Sequence, residues 1–501
     1  MVMYHTIVGF PQDAPPPVVR RMRHWAARPM SSACWLSLAA WLYLSPVQAA
    51  DLVAVYQRAL QNDPQLREAD ATRLAALEAK PQAVAALLPQ LSASGTVTRE
   101  RDTGSSNTVE AVSGVSGPGT QIVYESFPFD GRTTTTTHHY GADLRQNLFR
   151  WENWVALRRA DSQVAQAEAD YQAARQDLIA RVSQRYFDVL AAEDELDAQQ
   201  GALTSINRQL EQSEKRYEVG LIAITDVQEA KAAHDSSVAA VIEAKRQLAS
   251  AWELLREITG DVFDSLARPA DAFELANPDP ISEDKWVQMA LQQNLTLVSS
   301  RLAADIAGEN VQSARGGHMP TVDLVASRYR STSDGDSIYT DGTPFGSSSL
   351  DQISRTVGLQ VTFPLYSGGM VSSQVRQAVY LHRAAKERLE RIARQTERDA
   401  RDAYLGVLSE ISRVKALDRA LQSNTTALKA TESGYEAGTR TAVDVLESRR
   451  LWILAQTNYS RSRYDYLINV LKLQQAAGTL TEQSLIRINS WLKDSPPPAA
   501  R

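Results

Sequence analysis

The chain repeats itself at two fixed offsets. Ala59-Leu60-Gln61, Leu66 and Pro89 recur 231 residues later as Ala290-Leu291-Gln292, Leu297 and Pro320. Tyr186, Tyr217-Glu218, Gly220, Asp226-Val227, Glu229 and Gly260 recur 218 residues later as Tyr404, Tyr435-Glu436, Gly438, Asp444-Val445, Glu447 and Gly478. An ungapped match over about 75 residues implies a duplication, so both halves must solve the same folding problem. The halves are read as 50–268 and 282–490, with the Pro-rich stretch 269–281 as linker and 491–501 as a short tail. At 501 residues the chain exceeds the size at which one core keeps growing, so several domains or one elongated repeat is expected.

Each half has the same order: a helical stretch ending near Pro89 or Pro320, a short alternating run, an insert rich in Ser, Thr, Gly and Asp, a second alternating run, and a long segment without proline. Val357 to Leu365 alternates most cleanly, with every odd position apolar. A period of two gives one apolar face and one that tolerates water. Tyr140, Ala142, Leu144 and Leu148 alternate likewise, while Leu91 with Ala93, and Val322 with Leu324 and Ala326, make shorter runs. Four strands are expected, two per half. The inserts Asp102 to Thr137 and Ser331 to Gln352 read as loops outside a membrane.

No proline occurs from Trp151 to Ala267 or from Leu365 to Ser495, and apolar residues recur every three or four positions through Ala385, Leu389, Ile392, Ala400, Ala403 and Val407. That spacing makes a long helix with a narrow apolar seam. Gly220 and Gly438 supply the breaks, because glycine admits the left-handed backbone that ends a helix. Each segment therefore reads as a helical hairpin. Its first arm, Glu152 to Tyr217 or Val371 to Tyr435, has about 66 residues and a reach of roughly 100 Å.

Arg20, Arg21, Arg23 and Arg28, the apolar run Ala33 to Leu44 and the small residues up to Ala49 read as a signal peptide with an N-terminal extension, residues 1–49, with Met22 as a second candidate start. The run is too short to span a bilayer. Cys34, the one cysteine, lies inside it, so the exported chain is expected to hold no disulfide and no cysteine-based site. With 53 basic and 59 acidic residues and a net charge of −6, the chain lacks a nucleic-acid footprint. His138 and His139 are adjacent, hence on opposite faces of a strand, and no metal site is expected. No P-loop, Gly-x-Ser-x-Gly elbow or His-Glu-x-x-His stands in the sequence, so neither an enzyme nor a cofactor is expected.

Only helices and closed barrels cross lipid. No segment after the signal peptide holds the 18 or more apolar residues of a membrane helix, which leaves the strands as the candidate span. Four strands cannot close a barrel, since about eight is the practical minimum. A barrel built from them must be shared between subunits.

Tyr217-Glu-Val-Gly-Leu-Ile-Ala-Ile-Thr-Asp226, Tyr435-Glu-Ala-Gly-Thr-Arg-Thr-Ala-Val-Asp444-Val-Leu-Glu447, Tyr464-Asp-Tyr-Leu-Ile-Asn469 and Gly317-His-Met-Pro320 resemble the motifs of TolC-family outer-membrane channels, over about Leu52 to Leu492. The resemblance implies an α+β membrane protein of the cell outer membrane: a homotrimer with a shared twelve-stranded β-barrel in outer-membrane lipid, four strands per chain, continued by a coiled-coil α-helical tunnel into the periplasm. It implies a passive exit duct for multidrug efflux or type I secretion. The partners would be a periplasmic adaptor (membrane fusion) protein and an inner-membrane RND or ABC transporter.

By the same resemblance, Thr225 and Asp226 on one hairpin and Tyr435 and Arg440 on the other are expected to latch the periplasmic entrance, an arginine fork binding a carboxylate across coiled coils. Read from the residues alone, Thr225 and Asp226 instead cap the outgoing helix. Asp444 and Glu447, three apart on one helix face, are expected to ring the bore and favour cations, although the family usually has Asp where Glu447 stands. Without the resemblance they read as a solvated face. Gly220 with Leu221 and Gly438 with Thr439 are expected to receive adaptor tips, while a plain turn would require the glycines equally. Offset 218 sets Ile222 against Arg440, so the second hairpin alone is expected to carry a locking cation. Phe149, Trp151, Trp154 and Tyr366 are placed in an aromatic girdle at the lipid boundary. The rival readings are a soluble periplasmic coiled-coil adaptor and a structural rod.

Overall fold

A computed structural model describes residues 49–114, 121–270 and 275–493. Residues 1–48 of the expected signal peptide, Cys34 among them, and residues 494–501 of the expected tail lie outside the described residues. The element order is α1 (Leu52–Asn62), α2 (Pro64–Leu77), α3 (Ala79–Ala85), β1 (Gln90–Gly114), β2 (Gln121–Phe149), α4 (Trp151–Glu218), α5 (Ile224–Thr259) and β3 (Arg268–Pro269), then α6 (Glu283–Gln293), α7 (Leu295–Gly316), β4 (Thr321–Tyr339), β5 (Pro344–Thr362), α8 (Met370–Glu436), α9 (Ala442–Ala476), α10 (Glu482–Asn489) and β6 (Leu492–Lys493). The long arms α4 and α8, of 68 and 67 residues, end within a residue of the positions read from sequence. Among the described residues no helix is long and apolar enough to cross a membrane.

The returning arms α5 and α9 have only 36 and 35 residues. The remaining length of each long helix is covered by short helices from elsewhere in the chain, with α2, α3 and α7 on α4 and α6 and α7 on α8. Short helices complete the pairing because they abut the returning arms end to end. Asn62 Nδ2 donates to the Thr259 carbonyl at the end of α5, 2.7 Å away. Asn294 Nδ2 donates to the Ala476 carbonyl at the end of α9, 3.0 Å away. One capping residue makes each break: Asp63 accepts from the Leu66 amide and Asn294 from the Leu297 amide, both at 3.0 Å. Leu66 and Leu297, matched at offset 231, are both buried by this step.

The main core gathers where the helix ends meet. Leu178, Val182, Tyr186, Phe187 and Leu190 of α4 close on Leu255, Leu467 and Leu471. The buried Tyr186 hydroxyl donates to the Ala267 carbonyl at 2.7 Å, so its one polar atom is satisfied. The short strands β3 and β6, which follow the first and the second half, pair antiparallel here, Arg268 with Lys493 and Pro269 with Leu492.

β1, β2, β4 and β5 form one antiparallel sheet in that order. Leu91 pairs with Leu144, Leu144 with Ala326, and Ala326 with Val357, which carries one apolar row across all four strands. Val97, Leu359 and Val361 extend that face, and it is open: Val357 is 79% exposed. The opposite face carries Ser92, Asp143, Ser327 and Thr356 in register. There Arg145 Nη2 reaches the buried Asp323 carboxylate at 2.7 Å, and His139 stacks on Tyr329 with centroids 4.7 Å apart.

Among the described residues, the two inserts are mostly strand, not loop. The strands run on through them, with Asp102 paired to Thr133 and Ser331 to Gln352, and the β4–β5 turn spans only residues 340–343. Thr133 to Thr137 are β-branched and fit a pleated strand without a core, and backbone pairing alone satisfies the chain. Past the Gly131–Tyr339 pair, β1 and β2 continue as a two-stranded ribbon. Trp151 also departs from expectation. Its Nε1 donates to the Gln312 carbonyl at 3.1 Å and Arg158 covers its ring, so it is committed to α7, whereas Phe149, Trp154 and Tyr366 are exposed.

Candidate functional site at the hairpin tips

The two tips are built alike. Gly220 and Gly438 stand at φ +77° and +76°. Their amides donate to the Tyr217 and Tyr435 carbonyls at 2.9 and 3.1 Å, and the next amides, of Leu221 and Thr439, donate to the Arg216 and Gly434 carbonyls at 2.8 Å. A side chain in the left-handed region costs about 1–2 kcal/mol, so the turn itself demands glycine at both places. Leu221 and Thr439 then project from the tips, exposed.

The tips differ where the outgoing helices begin. At α9, Thr441 Oγ1 accepts from the Asp444 amide at 3.2 Å while the Thr441 amide donates to Asp444 Oδ2 at 2.9 Å, a reciprocal capping box. The Thr441 backbone and side chain hold the Asp444 carboxyl below the usual aspartate range. At α5 the N-cap is Ala223, the residue matched to Thr441, and it has no side-chain oxygen to offer. Thr225 and Asp226 lie inside the first turn and do not cap it, which corrects the capping reading for that pair. Asp226 occupies the third helical position, as Asp444 does, without a threonine to answer it.

Among the described residues, no hydrogen bond or ion pair within one chain joins Thr225 or Asp226 to Tyr435 or Arg440. Tyr435 instead receives Arg216 of α4 over its ring, the guanidinium carbon 5.1 Å from the centroid. The position matched to Arg216 is Gly434, and its lack of a side chain makes room for Arg440: a Cβ on Gly434 would stand 2.8 Å from Arg440 Cγ. Both tips therefore carry a cation, from the incoming helix in the first hairpin and from the turn in the second. Comparing Ile222 with Arg440 missed the first because the charge sits six residues earlier, in Lys215-Arg216.

Glu447 also has a local partner. Arg450, one turn on, donates to it through Nη2 at 2.6 Å and Nε at 2.8 Å, and this bond pulls the carboxyl below its ordinary range. Arg449 pairs with Glu432 across the hairpin. Glu447 and Arg450 edge a groove of about 360 Å³ between the hairpins, lined also by Ala202 and Ile206 of α4 and Ser237 of α5. The two expected ring carboxylates are thus one helix cap and one member of a neutral pair.

Further along the body, a cluster that sequence reasoning missed ties the hairpins together. Asp194 of α4 accepts from Arg268 Nη1 and from the Tyr464 hydroxyl of α9, both at 2.8 Å, and Arg268 Nη2 donates to Glu193 at 3.1 Å. Burial pushes the Glu193 carboxyl and the Tyr464 hydroxyl up. Tyr464 stands in a quoted motif, but nothing in the sequence brings Arg268 to it.

A four-stranded sheet with one open apolar face, joined to two long helical hairpins, defines an α+β outer-membrane protein. The chain belongs to the outer membrane efflux protein family, whose model matches residues 55–261 and 286–479. It is 34% identical over 458 residues to outer membrane protein TolC of Vibrio cholerae serotype O1, covering 90% of this chain and 95% of that protein. Against outer membrane protein TolC of Escherichia coli strain K12 the identity is 35% over 465 residues, 91% of this chain and 87% of that one. The fold is similar to that of the Campylobacter jejuni CmeC outer membrane channel, with a TM-score of 0.68 at 19% identity over 88% of this chain and 89% of that one.

Proposed function

We propose that this chain is one third of a homotrimeric outer-membrane channel-tunnel, the passive exit duct for multidrug efflux pumps or type I protein secretion. One observation carries the reading: β1 and β5 are unpaired edges of a sheet whose apolar face is open. Four strands cannot close on themselves, and bare edges in lipid leave unpaired backbone groups at several kcal/mol each. Three copies, β5 of each beside β1 of the next, remove every edge. The similarity to TolC along nearly the whole chain supports the same reading.

In this assembly the hairpin tips gate the periplasmic entrance. Thr225 and Asp226 engage Tyr435 and Arg440 between neighbouring chains, since the four do not meet within one. Asp444 and Glu447 face the bore, and Gly220, Leu221, Gly438 and Thr439 receive the tips of a periplasmic adaptor that links the duct to an inner-membrane RND or ABC transporter. The purified protein should run as a trimer in detergent by native mass spectrometry and conduct ions in planar bilayers. Recovery as a monomer in the soluble periplasmic fraction would sink the reading.

A further inference from the structure

The apolar face of the sheet ends, on the side away from the helices, in arginine. On that face, residues alternate by two along each strand. Val97 is followed by Arg99 on β1, Ala326 by Arg328 on β4, and Val357 is preceded by Arg355 on the antiparallel β5. Three of four strands thus place a guanidinium at the first position past the apolar run. The strands leave the helices at Gln90, Phe149, Thr321 and Thr362, so this rim lies towards the hairpin turns, the outer side of a spanning sheet.

Arg328 and Arg355 are moreover direct cross-strand partners on that face. Side chains so placed start about 5 Å apart at Cβ, and like charges directly opposite destabilise a sheet. Among the described residues neither makes an ion pair, nor does Arg99, and all three are exposed. Arg330, one step further out, shows the compensated alternative: it donates to Asp351 at 2.7 and 3.1 Å. A repulsive pair kept uncompensated at the edge of an apolar band calls for an external anion.

We propose that Arg328, Arg355 and Arg99 form a phosphate-binding rim that holds the phosphorylated headgroup of lipopolysaccharide, the lipid of the outer leaflet. This rests on the membrane-spanning reading of the sheet. Guanidinium forks bind phosphate bidentately and stay charged at any accessible pH. The level commits the site to a lipid over free phosphate. Acyl chains cover Val357, Leu359 and the rows below while the headgroup phosphates reach the first arginines above. The Arg328–Arg355 pair straddles one phosphate, and Arg99, on the edge strand, meets the next.

The test uses the full protein in vesicles of phosphatidylethanolamine carrying lipid A or its dephosphorylated form, with affinity read from lipid retained by native mass spectrometry. Arg328→Gln with Arg355→Gln should weaken lipid A binding at least about tenfold, as loss of charge-assisted hydrogen bonds predicts. The wild type should lose a similar factor against dephosphorylated lipid A, and Arg328→Lys with Arg355→Lys should recover part of it. Equal affinity of wild type and the Gln variant, with single-channel conductance intact, overturns the proposal and leaves the channel standing. Displacement of lipid A by equimolar inorganic phosphate overturns it too, in favour of a free-anion site. A wild type that neither inserts nor conducts fails the membrane reading, and the rim with it.

Discussion

The guanidinium of Arg216 lies over the ring of Tyr435, 5.1 Å from its centroid, and joins the first helical hairpin to the second near their tips. At an exposed site such a contact contributes about 0.5–1 kcal/mol. If the tips gate the entrance and opening parts this contact, Arg216→Ala should raise the open population in planar bilayers about two- to fivefold. Tyr435→Phe keeps the ring and should change it less. Identical conductance records for Arg216→Ala and wild type would remove the contact from the gate.

Arg440 folds back across the bare Cα of Gly434. If Arg440 latches the entrance, Arg440→Ser should raise single-channel conductance, and Gly434→Ala should do the same by pushing Arg440 aside. Unchanged closure in both Arg440→Ser and Asp226→Ala ends the latch assignment.

Arg450 neutralises Glu447 within the chain. Asp444→Asn with Glu447→Gln should weaken cation selectivity, measured as reversal potential in a salt gradient. Arg450→Ala should act oppositely and strengthen it, since it frees a carboxylate. If neither moves the reversal potential, those side chains do not line the bore.

The capping box of α9 should fail in acid. The Asp444 carboxyl is held below the ordinary aspartate range in the fold, so its contribution is full above that range and is lost as pH falls through the lowered value. Hydrogen-exchange protection of the Thr441, Asp444 and Val445 amides should drop in that window. Asp444→Ala should show the loss at neutral pH, while the start of α5, where Ala223 offers no cap, should change little.

Asp194 satisfies both Arg268 and the Tyr464 hydroxyl. Asp194→Ala leaves both without that carboxylate and should cost about 2 kcal/mol, read as a shift in the denaturation midpoint. Tyr464→Phe removes the hydroxyl together with its need for a partner and should cost less than half as much. A loss for Tyr464→Phe as large as that for Asp194→Ala would overturn this, because the ring and its packing on Phe187, 5.7 Å away, are kept and only the hydroxyl is gone.

Much of this architecture is written locally. Proline-free seams predicted α4 and α8, Gly220 and Gly438 predicted the breaks, and alternation located the four strands. The inserts misread because Ser, Thr and Gly composition resembles a loop when no core contact disciplines the chain, yet backbone pairing carries β1 and β2 into the first and β4 and β5 into the second. Trp151 misread because an aromatic beside a strand looks alike whether lipid or α7 receives it.

The sequence by itself determined the duplication, the long hairpins, the two-faced strands and the glycine turns, since each depends on neighbours a few residues away or on a repeated pattern. Only the tertiary structure decided that α2 and α7 complete the pairs left short by α5 and α9, that Arg216 lies on the Tyr435 ring, and that Arg328 faces Arg355. Those are meetings of residues far apart in the chain, set by helix ends and strand register, and local propensity carries no information about either.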